Sequence, residues 1–328
     1  MEHVALGGQG LQVSRQGLGC MGMSQSYGAI DRDEAVATLL AAVEAGLSFF
    51  DTADMYGLGH NEQLVGEVLG PIRDSLVVAT KFGIVRDPSG NTIGVNGRPD
   101  YVATACDASL ARLGMDYIDL YYLHRVDAQV PIEETVGAMA KLVEQGKVRY
   151  IGLSEVAAST LERAHGVFPI TAIQSEWSLF TRELEADVIP MARKLGIGIV
   201  PYSPLGRGVL SGTVRSDADL EEGDFRRFTP RFHGESLAAN VNLVDQLADI
   251  ASDLSVSTAQ LALAWVHARG SDVVPIPGTK RRKWLEANLA SLALELSAET
   301  CAQLEAIVEP NAVVGDRYPA GFMDTLNR

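Results

Sequence analysis

Little in this chain of 328 residues points to an oxidising compartment, a membrane or a polyanion. There are three cysteines, Cys20, Cys106 and Cys301. Odd in number and far apart, they give neither a disulfide framework nor metal-ligand spacing, and they fit a reducing compartment. No apolar run approaches the roughly 20 residues needed to span a bilayer. The start, Met1-Glu2-His3-Val4, lacks the charged residues and apolar core of a signal peptide. These absences predict a cytoplasmic, soluble protein with no membrane partner. Positive charge is scarce as well: Lys+Arg 27 against Asp+Glu 42 gives −15, and no basic patch is large enough for nucleic acid. The plain consequence of that charge is solubility, and any anionic ligand has to be held by a few placed cations. Glycine and proline are dispersed, so no long disordered tail is expected. A hydrophobic content of 47% with 21% charged residues is ordinary for a soluble globular enzyme.

What is present is an alternation of short apolar runs and helical patterns. Residues 3–18 alternate around Gly7-Gly8 and Gly10 and predict a β-hairpin before the main fold. Gly17-Leu18-Gly19-Cys20-Met21-Gly22 is formally a GxGxxG. A dinucleotide fingerprint, however, needs a helix opening on those glycines and an acid about 20 residues on. Residues 23–30 are turn-like instead, and Asp51 lies too far along. Strands are expected at 47–51, 76–81, 117–124, 148–154, 170–174, 197–201 and 273–276. The helices between them carry i, i+3, i+4, i+7 patterns such as Val36, Leu39, Leu40 and Val43. Residues 82–98 read as a polar loop. Residues 205–240 read as a long loop, and helices return at 241–254, 258–268 and 281–290; a further helix at 298–308 leads into a tail. The strands are apolar rather than alternating, as parallel strands buried on both faces are. About eight β-α units without a linker predict an α/β fold: a TIM (β/α)8 barrel with an N-terminal β-hairpin, a long loop after strand 7 and an extra C-terminal helix and tail, in one domain spanning residues 1–328. A doubly wound open sheet is the rival.

Several of the apolar runs end on one polar residue able to do chemistry. Phe49-Phe50 run into Asp51, with Tyr56 in the loop beyond; Lys81 and His124 close two further strands. In a barrel, residues at the C-terminal strand ends converge on one mouth. A phenol with a pKa near 10 exchanges protons poorly at neutral pH. A neighbouring ammonium would lower that pKa, and a carboxylate would keep the ammonium charged and oriented. Asp51, Lys81 and Tyr56 are therefore a candidate general acid/base device, with His124 polarising or orienting a carbonyl. Taken singly, an acid closing a strand is more often a cap or turn residue, and a lone Lys, Tyr or His is more often surface or core. The shared position of all four gives the pattern its weight. A metal-dependent barrel hydrolase would need clustered His and acid ligands at strand ends, of which His124 is one alone, so no metal site is expected.

Phe50-Asp51-Thr52-Ala53 with Tyr56-Gly57, Thr80-Lys81, Tyr122-Leu123-His124-Arg125, Gly152-Leu153-Ser154, Gln174-Ser175-Glu176 and Tyr202-Ser203-Pro204-Leu205-Gly206 together resemble the aldo-keto reductases, NADPH-dependent carbonyl reductases built on this barrel. The resemblance runs from Leu18-Gly19 to Asn288. It implies a catalytic tetrad of Asp51, Tyr56, Lys81 and His124, hydride transfer from NADPH to an aldehyde or ketone, and Tyr56 as proton donor. It also implies that Ser154 and Gln174 bind the nicotinamide carboxamide, that Tyr202 stacks on its ring, and that Ser203, Pro204, Leu205, Gly206 and Arg207 hold the pyrophosphate. Gly278, Thr279, Lys280 and Arg281 match the 2′-phosphate site, where a helix N-terminus favours an anion. Asn288 matches an adenine contact, and Met21 and Asp51 complete the cofactor set. Two departures stand out: Glu155 where many members have Asn, and Trp284 where many carry an arginine. Arg231, in the insert with Arg226 and Arg227, is a weaker cofactor candidate. Met21, Met23, Tyr27, Trp177 and residues 318–322 are candidate substrate-mouth residues. The rival within the same fold is a slow, cofactor-binding regulatory subunit, as potassium-channel β subunits share this architecture. The sequence carries no signal for oligomeric state or for the physiological substrate.

Overall fold

The structure, a computed structural model, describes residues 1–327. An antiparallel hairpin, β1 (His3–Leu6) and β2 (Leu11–Ser14), precedes the barrel. Seven parallel strands follow: β3 (Leu18–Gly19), β4 (Phe49–Asp51), β5 (Val77–Phe82), β8 (Ile118–Leu123), β9 (Val148–Ser154), β10 (Ala172–Glu176) and β11 (Gly198–Tyr202). The hairpin of β6 (Ile84–Arg86) and β7 (Thr92–Val95) stands apart, just after β5. Residues 273–276 close the ring as the eighth strand. Val274 N–H donates to Ile199 O at 2.8 Å, Ile276 N–H to Pro201 O at 3.0 Å, and Gly17 N–H to Pro275 O at 3.0 Å. The expected eight-stranded parallel barrel is therefore present.

The period-two geometry of a strand sorts each apolar run into two cores. Phe49, Ala79, Leu120, Tyr122, Ala172, Val200, Val274 and Ile276 fill the barrel interior, and Leu6, Leu11 and Val13 of the hairpin cover its floor. Their neighbours Phe50, Val78, Tyr121, Leu123, Ile173 and Ile199 face outward into the layer of helices. The helices are α1 (Arg32–Glu44), α2 (His60–Leu69), α3 (Pro99–Leu113), α4 (Ile132–Glu144), α5 (Ala158–Val167), α6 (Val188–Lys194), α7 (Gly234–Asp253), α8 (Thr258–His267) and α9 (Arg282–Ala290), with α10 (Ala298–Ile307) and the single turn α11 (Ala320–Met323) after them. The hairpin fixes the polarity: with the floor plugged, polar side chains at the opposite strand ends are the ones that meet.

The early glycines do not form a nucleotide loop. A Cβ on Gly17 would lie 2.7 Å from the Phe49 ring, and one on Gly19 would lie 2.9 Å from Ile276 O. They are small because strands one, two and eight crowd together there. Two boundaries differ from the sequence expectation. The loop expected at 82–98 holds β6 and β7, and the loop expected to reach 240 gives way to α7 at Gly234. Among the described residues no helix is long and apolar enough to cross a membrane.

Candidate active site

Asp51 ends β4, Lys81 lies next to the last residue of β5, and His124 immediately follows β8. In the ladder Asp51 lies opposite Ala79 and Lys81 opposite Tyr122, so Lys81 sits one layer nearer the mouth than Asp51. Its ammonium turns back onto the Asp51 carboxylate as an ion pair and donates to Thr52 O at 2.8 Å. It also reaches the Tyr56 hydroxyl at 3.4 Å. Asp51 takes a second donor, Gln174 Nε2, at 2.8 Å. Tyr56 meets the His124 ring edge to face, with centroids 6.0 Å apart and planes at 84°. The structure thus brings together all four residues expected at the mouth.

The site is dry. Lys81 is 0% and Asp51 2% exposed, so burial acts against both charges, raising the carboxyl and lowering the ammonium, while contact between them offsets that cost. For Tyr56 the expectation is overturned. Burial first, and the Asp51 charge second, push the phenol well above its ordinary 10, with Arg125 opposing. Tyr56 therefore holds its proton at neutral pH. Burial, then Arg125, Lys81 and Arg86, hold His124 well below 6.5, so its imidazole is neutral. Its Nδ1 is buried without a partner among the described residues.

Beside the tetrad, Ser154 Oγ accepts from Arg125 Nη1 at 3.3 Å. Residues 203–208 form a tight loop with left-handed φ at Ser203 (47°), Gly206 (55°), Arg207 (55°) and Gly208 (100°). Two of its N–H groups close the loop on itself, Gly206 onto Ser203 O at 2.9 Å and Gly208 onto Leu205 O at 3.0 Å. Arg207 donates to Glu176 Oε2 at 3.1 Å through Nη2, while its Nη1 is buried with no partner among the described residues. The unmatched Arg207 N–H is the group of this loop that could meet an anion such as the diphosphate of a nicotinamide dinucleotide. Around the eighth strand the match is looser. Lys280 is turned onto the carbonyls of Tyr27 and Ala29 at 2.5 and 2.6 Å, and Glu34 takes the first N–H of α9, from Arg282, at 3.0 Å. Arg281 is exposed and Asn288 buried. Trp284 is exposed, with Lys283 Nζ 4.7 Å from its ring centroid.

Other candidates land elsewhere. Arg231 is used internally, donating to Thr181 Oγ1 at 2.8 Å and Gly315 O at 3.1 Å, so it is not set out for a cofactor. Arg226 pairs with Asp224, and Arg227 holds the carbonyls of Asp217, Leu220 and Glu221. Both cations brace the long loop. That loop crosses the end of the eighth strand, because Phe225 N–H reaches Ser26 O at 3.0 Å and Glu221 takes Ala29 N–H at 2.7 Å on the far side. Met23 and Trp177 belong to the outer core and do not line the mouth.

Sequence reasoning passed over the partners of Glu155. It takes Arg317 at both oxygens (2.9 and 2.8 Å), Tyr202 OH at 2.7 Å and Glu176 N–H at 2.9 Å. Against the upward push of burial, Arg317 and Arg125 hold this carboxyl down at about 2. Tyr318 follows onto the same spot, 2.9 Å from Tyr202 OH and with its ring 4.1 Å from the Arg207 guanidinium. The tail is thereby latched over Glu155, Tyr202 and Arg207.

A sequence model of the aldo/keto reductase family matches residues 16–309. The chain belongs to the aldo/keto reductase family. Two solved structures are similar to the chain. The glycerol dehydrogenase AKR11B4 of Gluconobacter oxydans is 28% identical with a TM-score of 0.84, covering 93% of this chain and 94% of its own. A thermostable aldo-keto reductase, Tm1743, solved with the inhibitor epalrestat, is 30% identical with a TM-score of 0.75, covering 94% of this chain and 100% of its own. As a member of this family the protein is an NAD(P)H-dependent oxidoreductase working between carbonyl and alcohol groups.

Proposed function

We propose that the protein, acting as one barrel unit in the cytoplasm, reduces aldehydes or ketones to alcohols with NADPH, and that Tyr56 is the proton donor. The observation that carries this reading is the buried chain Asp51–Lys81–Tyr56, with the ammonium 3.4 Å from the phenol oxygen. A nicotinamide cofactor supplies the hydride when bound, with Ser154, Gln174, Tyr202 and the 203–207 loop as its holders and Met21 at the edge. Tyr56, protonated at neutral pH, is ready to give its proton to a carbonyl oxygen as negative charge develops there. Lys81 stabilises the phenolate left behind, which is where its charge does chemical work; Asp51 keeps that ammonium aimed. A neutral His124 can donate a hydrogen bond to the same oxygen without competing for the proton. Arg281, exposed beside Gly278 and Thr279, supports the preference for a 2′-phosphate. The glycerol dehydrogenase likeness makes small polyols reasonable partners of the reverse reaction.

The test is Tyr56→Phe, which keeps the ring and removes the proton. Reduction of a panel of aldehydes, followed by NADPH absorbance with NADH as control, is expected to fall by at least about 10²-fold, the usual worth of a placed acid. Reduction near the unmutated rate would refute the assignment.

A further inference from the structure

At the mouth, each buried or half-buried arginine other than Arg86 has an ion pair or several acceptors, although Arg207 keeps Nη1 unmatched among the described residues. Arg125 donates to His124 O, Ser154 and Tyr318; Arg207 and Arg231 face Glu176; Arg226 pairs with Asp224; Arg317 pairs with Glu155. Arg86 forms no ion pair among the described residues. Its one hydrogen bond is long, from Nη1 to Gln25 Oε1 at 3.3 Å, and that oxygen is already taken by Gly57 N–H at 2.9 Å. Its Nε is buried with no partner among the described residues.

The placement matters as much as the vacancy. Arg86 stands on β6, five residues beyond Lys81, where the β6–β7 hairpin rises from the mouth. Gln25 ties it to the turn that carries Tyr56. Its charge is felt at His124, and Tyr56 and Asp54 are felt in turn at Arg86. Asp54 forms no ion pair with it among the described residues: burial, then Glu62, push that carboxyl up to about 8, and its Oδ1 has no partner there. A half-buried guanidinium without a carboxylate partner, beside a buried reaction centre, is a recognition element for an oxyanion, to which it can present paired N–H groups.

We propose that Arg86 is a substrate-recognition residue: it binds an oxyanion, a carboxylate or phosphate ester, on a carbonyl substrate whose reacting oxygen lies at Tyr56 and His124. This rests on the carbonyl-reductase reading and narrows its substrate class to anionic aldehydes or ketones.

The test compares matched pairs that differ in the anion: 4-oxobutanoate with butanal, and glyceraldehyde 3-phosphate with glyceraldehyde. The unmutated protein is expected to prefer the charged member of one pair in kcat/KM, and the pair identifies the anion. Arg86→Met should lower that charged-to-neutral ratio about 10-fold or more, mostly through KM, while Arg86→Lys keeps part of it. In parallel, succinate and glycerol 3-phosphate are titrated calorimetrically into the NADPH-loaded protein, with Arg86→Met expected to weaken one of them by a similar factor. Aldehyde reduction with a ratio indifferent to Arg86 overturns this proposal and leaves the reductase reading standing. No reduction, with anion binding that still depends on Arg86, does the reverse. Anion binding equal in Arg86→Met and the unmutated protein overturns the proposal whatever the turnover.

Discussion

The ion pair between Glu155 and Arg317 joins the end of β9 to a tail 162 residues away, and breaking it should undock the tail without unfolding the barrel. Glu155 is 7% exposed, with a carboxyl that falls from an ordinary 4.5 to about 2 on folding. At about 1.4 kcal/mol per pH unit, that displacement corresponds to about 3 kcal/mol of folded-state stability. The figure agrees with the roughly 3–5 kcal/mol lost when one partner of a buried pair is removed. Because the folded value is depressed, this contribution is fully present above pH 4.5 and is lost as pH falls towards 2. Arg317→Met removes the Arg317 share of it wherever Glu155 is ionised, leaving Arg125 and the Glu176 N–H. If the loss is local, amides whose protection depends on the docked tail should exchange about 100-fold faster. Those of Phe322, Met323 and Asn327 are bonded to Pro319 O, Pro319 O and Glu155 O. Hydrogen exchange at pH 7, with the β8 amides as internal control, reads the effect. Tail exchange unchanged in Arg317→Met would refute the latch, and equal acceleration in β8 would show the pair to be part of global stability instead.

The remaining predictions concern the mouth. Reduction under saturating NADPH should keep a level rate from about pH 6 to 9, because Tyr56, raised above 10, keeps its proton and His124, held below 6.5, stays neutral; a limb near 6.5 that vanishes in His124→Gln would contradict this. Lys81→Met should abolish turnover and lower stability by about 3–5 kcal/mol in urea titration, since it strands a buried Asp51 carboxylate. Adding Asp51→Asn should recover part of the stability and none of the activity; a stable Lys81→Met protein would count against a charged pair. Arg281→Ala should weaken NADPH binding about 10-fold and leave NADH binding alone, whereas Lys280→Ala should do less because that ammonium is spent on Tyr27 and Ala29. Equal effects of the two variants on NADPH would show that Lys280 swings out to the nucleotide.

The barrel and the positions of its four mouth residues were legible because parallel strands are apolar on both faces. Against such a background Asp51, Lys81 and His124 stand out. The β6–β7 hairpin left no such trace: Ile93 is 64% exposed, and neither strand presents a buried stripe. The start of α7 was missed for a similar reason, since Leu237 and Asn240 are its only fully buried residues before Val244. Within the site, the direction of the Tyr56 shift was misread because it is decided by depth. Asp51 and Lys81 are visible as neighbours, whereas the loss of water around the phenol appears once the whole mouth is assembled. Glu155 makes the sharpest case. In the sequence it is a departure from the family pattern just after Gly152-Leu153-Ser154, and Arg317 is one cation among 27. Neither is informative without the other. A carboxylate at the end of β9, in a left-handed turn (φ 53°) and nearly without solvent, would be prohibitive if unpaired. The substitution in the strand and the arginine in the tail are therefore one feature, and the tail has to dock for β9 to end in this residue.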